Sequence, residues 1–186
     1  MVLSLGAAAR VLLCLAAPSA LQGQAAAPIR DNSFLVEEAY NQDGGVVQHV
    51  GTFAMGRMGG WAAGVDEEWP VGGMRDQLSL AAFDGSGGTR FGDVELGYRR
   101  QLIGGSESRF LVAPRVSALW LQAEDSPGGS PSGLGTQVAL PMTAVLTSSL
   151  VTHWNLSATL GPFRPIASAG VSVVWLMTPT VNLLVE

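Results

Sequence analysis

The chain contains no lysine; all ten of its basic residues are arginine. Charge of either sign is scarce, at 13% of 186 residues, where soluble domains carry about 25%. A water-facing surface is usually dense in Lys and Glu, so the shortage argues that much of the exterior does not meet water. The net charge of −5 and the lack of a basic run speak against nucleic acid as a partner. A single cysteine, Cys14, excludes a disulfide framework. The two histidines, His49 and His153, lie far apart with no second ligand at metal spacing, so no metal site is expected. No cofactor is expected either: Gly85-Ser86-Gly87-Gly88 has no lysine after it and reads as a turn, not a phosphate loop. No D-x-[DN]-x-[DN]-G calcium loop occurs. Beyond the first stretch, no run reaches the ~18 apolar residues of a spanning helix, although mean hydropathy is +0.30.

What is present begins with an export signal. Arg10 precedes the apolar run Val11-Leu12-Leu13-Cys14-Leu15-Ala16-Ala17, and small residues follow to Gln24-Ala25-Ala26-Ala27. This is the layout of a secretory signal peptide over 1–27. Leu13 before Cys14 does not suit lipid attachment. Residues 28–45 form a separate N-terminal segment. Asn32 or Ser33 can cap a short helix running to Gln42, with Glu37 and Glu38 in its first turns and Asp43-Gly44-Gly45 as its stop. Such a segment either rides on the surface or tucks into a barrel as a plug.

From residue 46 the pattern has period two, the strand signal. Val94, Leu96 and Tyr98 alternate with Asp93, Glu95, Gly97 and Arg99; Val138, Leu140 and Met142 share a face; Trp154, Leu156, Ala158 and Leu160 oppose His153, Asn155, Ser157 and Thr159. Phe110, Val112, Val116, Ala118 and Trp120 fall on one face, and Arg115 and Ser117 on the other. Glycine-rich turns separate these runs. About nine strands are expected, near 46–55, 60–69, 76–83, 90–102, 109–122, 135–146, 150–161, 169–177 and 180–186. With no helical crossovers, the fold class is all-β, an antiparallel meander. Several runs approach the ~9–11 residues with which a tilted strand crosses a bilayer.

Alternation alone does not say which face meets solvent. A secreted sandwich buries its apolar face; a membrane barrel turns that face to lipid and encloses the polar one. The export signal, the long strands and the sparse, small polar faces favour a transmembrane β-barrel over 46–186. Trp61, Trp69, Trp120, Trp154 and Trp175 fall near strand ends or on apolar faces, as an interfacial girdle requires.

Glu37-Glu38-Ala39-Tyr40-Asn41-Gln42, Val46-Val47-Gln48-His49, Glu68-Trp69-Pro70, Gly92-Asp93-Val94-Glu95-Leu96-Gly97-Tyr98-Arg99, Ala113-Pro114-Arg115-Val116-Ser117, Gln137-Val138-Ala139-Leu140-Pro141 and His153-Trp154-Asn155 occur in that order. Together they resemble the outer-membrane proteins grouped as "MetA-pathway of phenol degradation", from about residue 30 to the C-terminus. The resemblance implies a channel-like barrel in a bacterial outer membrane, inserted by the barrel-assembly machinery, for small hydrophobic or aromatic solutes. It brings no catalytic residues. Such barrels end on an aromatic residue, whereas this chain stops at Leu183-Leu184-Val185-Glu186. Nine strands is also an odd number where bacterial barrels have even ones. The expectation is a chain shortened at its C-terminus, with an incomplete barrel.

The residues expected to line the lumen and select solutes are Asp93, Glu95, Arg99, Arg115, His153 and Asn155; those of the plug are Glu37, Glu38, Tyr40, Asn41 and Gln42. Asp93, Glu95, Arg99 and Arg115 would face one another across neighbouring strands, as interior salt bridges or a solute filter. No enzyme activity is expected. The alternatives are a structural barrel without transport, or a barrel lipid hydrolase using His153 with Asn155 and Ser157 on the same face. Residues two apart on a strand lie ~6.6–7 Å apart, too far for a direct nucleophile–base bond.

Overall fold

The computed structural model describes residues 36–57, 59–85, 93–105, 107–122, 132–161, 165–178 and 181–186. The expected signal peptide, with Cys14, lies outside the described residues, as do 90–92 of the fourth expected strand. Among the described residues ten strands form: β1 (Gln48–Met55), β2 (Trp61–Pro70), β3 (Asp76–Gly85), β4 (Asp93–Arg100), β5 (Phe110–Val112), β6 (Arg115–Leu121), β7 (Gly133–Thr147), β8 (Leu150–Leu160), β9 (Ile166–Thr178) and β10 (Val181–Val185). They make one sheet ordered β1-β2-β3-β4-β6-β7-β8-β9-β10, with β5 pairing β7. Every pairing is antiparallel, so the chain is a meander. Among the described residues no ladder joins β1 to β10.

Two expectations are corrected. The run 109–122, expected as one strand, is split into β5 and β6 at Ala113-Pro114. Pro114 has no N–H for a ladder. Its carbonyl accepts from Arg100 N (3.0 Å), while Ala113 N donates to Pro141 O (3.1 Å). The helix expected up to Gln42 is absent from 36–42, which carry no helical turn. A helix needs its N–H groups for carbonyls four residues back. Here Ala39 N donates to Thr143 Oγ1 and Gln42 N to Gln77 Oε1, so strand side chains take the groups a helix would use.

The two faces of the sheet differ sharply. Register partners share a face, so the rows can be followed across the strands. One face carries Leu78-Tyr98-Val116-Val138, Leu80-Leu96-Ala118 and Trp120-Leu134, then Leu140-Leu156 and Trp154-Val171. Most of these large apolar side chains are exposed: Leu96 by 54%, Val138 by 54% and Trp154 by 53%. The opposite face carries Gln77, Ser79, Arg99, Ser117, Thr143, His153 and Ser172, all buried. Exposed apolar and buried polar is the inverse of a water-soluble fold.

All five tryptophans lie on the apolar face. Trp61 opens β2 and stacks on Phe53 (6.4 Å between centroids), and Trp120 sits next to the end of β6 at the same rim. Trp69, Tyr98 and Trp175 lie toward the other rim. Trp61 and Trp69 on one strand are thus ~26 Å apart along its length. Among the described side chains, the charged groups on this face of the strands keep near strand ends: His49 with Glu67 (2.8 Å), and Asp76 with Arg100 (3.3 Å).

The strands are strongly staggered. One row runs Glu68-Ser79-Gly97-Ser117-Gln137-Thr159-Ile166. It leaves β2 near its C-terminal end and reaches β9 at its first residue. A slip of ~23 Å along the strands over ~29 Å across them is a tilt of roughly 40°, the range in which sheets curl into barrels.

Candidate functional site

Residues 36–42 cross the polar face from β9 and β10 toward β1 and β2. Val36 is 4% exposed, Ala39 0%, Tyr40 7% and Asn41 8%. An extended segment lying on a flat sheet would keep its outer side open to solvent, so this burial requires the sheet to curve around it.

The segment is held strand by strand. Val36 packs against Gly170 on β9, where an added Cβ would stand 3.1 Å from Val36 Cγ2. Its N–H donates to Glu186 Oε1 (3.1 Å). On β8 the Asn155 carboxamide, turned so that both its groups are satisfied, accepts from Glu37 N (2.5 Å) and donates to Glu37 O (2.9 Å). Thr143 Oγ1 on β7 accepts from Ala39 N (3.0 Å) and bonds His153 Nδ1 (2.8 Å). The Tyr40 ring meets His153 edge-on, centroids 6.4 Å apart. Asn41 Nδ2 donates to the carbonyls of Met74 and Arg75 in the β2–β3 turn (3.2 and 2.8 Å). That turn places Gly72 and Gly73 at φ +66° and +135°, where a side chain would be strained. At the far edge Gln42 Nε2 reaches Gln48 and Glu68 Oε2.

Arg99 is the hub. It is 5% exposed. Its Nε donates to Asn41 Oδ1 (2.9 Å), Nη1 to Glu37 Oε1 (3.0 Å) and Glu38 O (3.1 Å), and Nη2 to Tyr40 O (2.5 Å). Glu68 Oε1 lies 3.9 Å from Nη2. The planar guanidinium offers five N–H groups in a fixed fork and so can satisfy several acceptors of an extended backbone at once. Arg115, its register partner on β6, pairs with Glu95 (2.9 Å) and Glu37 Oε2 (3.3 Å), and its Nη2 donates to Gln137 Oε1 (2.9 Å).

Of the residues expected to line the lumen, Glu95, Arg99, Arg115, His153 and Asn155 lie on this face; the last four touch the segment directly, and Glu95 reaches it through Arg115. Asp93 stands apart at the strand end, where its Oδ1 accepts from Gln122 N (2.8 Å). Of the plug residues, Glu37, Tyr40, Asn41 and Gln42 use side chains, whereas Glu38 contributes its carbonyl to Arg99. Ser157 does not approach His153; its hydroxyl pairs with Ser168 Oγ (2.6 Å), and His153 is fully buried. Gln77, Thr143 and Glu68 were missed as anchors. Their only sequence signal was polarity at alternate positions, shared by the other polar residues of this face.

Two clefts open among the described residues. One, of about 260 Å³, has Asp93 and Glu95 in its wall with Phe83, Leu119, Leu121 and Gln137, and no residue of the segment. The other, of about 240 Å³, is bordered by Tyr40, Asn41, Arg75, Gln101 and Leu111. No ring of metal-binding side chains occurs among the described residues. No family model, curated protein or solved structure matches the chain.

Proposed function

We propose that the chain is a transmembrane β-barrel of a bacterial outer membrane whose polar interior is plugged by residues 36–42, and that it passes small solutes by diffusion, with no cofactor and no chemistry of its own. The observation that carries this reading is the inverted sidedness: Leu96, Val138 and Trp154 exposed on one face, Arg99, His153 and Thr143 buried on the other. Hydrocarbon tolerates the first face, and only an enclosed interior satisfies the second. The ~40° tilt suits closure of the sheet, and the aromatic residues near both rims suit the two interfaces. Within this reading, the partners are outer-membrane lipid and the barrel-assembly machinery, and the export signal over 1–27 delivers the chain. The resemblance to the phenol-degradation outer-membrane group adds small hydrophobic or aromatic compounds as the solute class.

The test is refolding of the chain into lipid vesicles. Heat-modifiable migration on gels and step conductance in planar bilayers support the reading. A chain that stays soluble, monomeric and unshifted without lipid overturns it.

A further inference from the structure

The inward face of the strands is short of positive charge. Asp66, Glu68, Asp93 and Glu95 share it with Arg99 and Arg115. Both guanidiniums are already engaged: Arg99 holds Glu37 and the carbonyls of Glu38 and Tyr40, and Arg115 divides itself between Glu37 and Glu95. Asp93 is in no ion pair among the described residues; its Oδ1 accepts the backbone N–H of Gln122 (2.8 Å). Beside it stands an aromatic ring. Phe83, its register partner on β3, points inward and is nonetheless 46% exposed. The ring lies over Gly64 of β2, where a Cβ would stand 2.7 Å from Phe83 Cδ1, so the glycine makes room for it. Phe83 borders the cleft of about 260 Å³, with Leu119 and Leu121 as apolar wall, Asp93 and Glu95 as its acids, and no basic residue among its described walls. An aromatic face next to carboxylates attracts a cation twice, through the ring quadrupole and through charge.

We propose that this cleft binds a small organic ammonium ion with an apolar body. Residues two apart on one strand lie ~6.6–7 Å apart, a gap that one ammonium group spans with a hydrogen bond to each side. The ammonium group therefore sits between the Asp93 and Glu95 carboxylates and within reach of the Phe83 ring, and the apolar body lies against Leu119 and Leu121. Bound there, the cation supplies positive charge that the enclosed face lacks. An anion of the same shape meets two carboxylates and is repelled. This site deepens the channel reading and rests on it only for its consequence, an interior that favours cationic over anionic solutes.

The experiment uses the full chain refolded in detergent micelles at neutral pH, with benzylamine, cationic under these conditions, as probe and benzyl alcohol as its uncharged counterpart. Binding is read by calorimetry, and heat-modifiable migration checks that each variant is folded. Benzylamine is expected to bind about tenfold more tightly than benzyl alcohol, the difference a charged hydrogen bond makes. Asp93→Asn keeps an oxygen for the Gln122 N–H and removes only the charge; it should weaken benzylamine about tenfold and leave benzyl alcohol unchanged. Phe83→Leu keeps an apolar side chain without the ring quadrupole and should weaken benzylamine about threefold. No binding of benzylamine, equal affinity for the amine and the alcohol, or an unchanged affinity for benzylamine in either variant overturns the proposal. Conductance separates the site from the channel. A protein that conducts but fails these binding tests removes this inference alone; one that binds benzylamine selectively and never conducts removes the channel alone.

Discussion

Arg99 and Arg115 are register partners on β4 and β6, and the carboxylate of Glu37 reaches both, at 3.0 and 3.3 Å. Like charges directly opposite each other on two strands repel, and Glu95 on β4 offsets part of this at 2.9 Å from Arg115. Here the N-terminal segment adds a carboxylate that both arginines share, and Arg99 in turn binds its carbonyls. The segment and the charged strands therefore need each other, and this coupling can be measured.

Arg99→Met is expected to free the segment. The substitution leaves Glu37, Asn41 Oδ1 and the carbonyls of Glu38 and Tyr40 without their shared donor. Removing one partner from a buried charged network costs about 3–5 kcal/mol. The strand ladders remain, so far-ultraviolet circular dichroism should keep its strand signature while the protease cleaves after Glu37 and Glu38. An uncleaved segment in a folded Arg99→Met protein would show that the other anchors suffice.

Much of this architecture was legible beforehand, and the reason is the period of the strand. Alternation at 93–99 put Arg99 and Glu95 on one face and Leu96 and Tyr98 on the other, and the register keeps them there. What period two does not encode is the partner across a ladder, because register depends on turn lengths and bulges. The pairing of Arg99 with Arg115, and not with an acid, was therefore invisible, as was the place of Asp93 outside the network. The helix expected over 32–42 is absent from 36–42 for a related reason. Capping residues and early glutamates describe what a segment prefers alone, and tertiary partners override that preference. Thr143, Gln77, Asn155 and Arg99 take the backbone groups of 37–42 one by one.

Gly170→Leu should release the segment without altering a charge. A Cβ at this position already stands 3.1 Å from Val36 Cγ2, and the rest of a leucine has to enter the space Val36 fills. Gly170→Ala needs a shift of only a few tenths of an ångström from a flexible methyl end. The expected outcome is wild-type protease resistance in the alanine variant and cleavage after Glu37 in the leucine variant. Equal resistance in both would mean that Val36 does not hold the segment.

Thr143→Val tests the polar anchor while keeping the shape of the side chain. The hydroxyl accepts from Ala39 N and bonds His153 Nδ1, and all three groups are buried. Leaving a buried polar group without its partner costs about 1–3 kcal/mol. Urea unfolding in micelles should show a loss of that size with an unchanged m-value. A loss below about 0.5 kcal/mol would be that of an ordinary surface change and would show that the hydroxyl carries no weight.

Arginine placed at two depths on the apolar face discriminates lipid from water as its neighbour. Leu96 lies in the middle of β4, 54% exposed, between Leu80 and Ala118; Leu134 lies at the start of β7 beside Trp120, 73% exposed. If water covers this face, both substitutions fall within about 0.5 kcal/mol of neutral, since neither removes a buried contact. If hydrocarbon covers it, Leu96→Arg costs about 2–4 kcal/mol near the midplane, and Leu134→Arg, close to the rim, costs about 0–1 kcal/mol. The difference between the two positions is the informative quantity, because effects on the unfolded chain common to both variants cancel. Reversible urea unfolding in phospholipid vesicles gives it directly. A gap of about 2 kcal/mol or more favours lipid around β4, and two equal, small values place the same face in water and leave Leu96, Val138 and Trp154 in need of another partner.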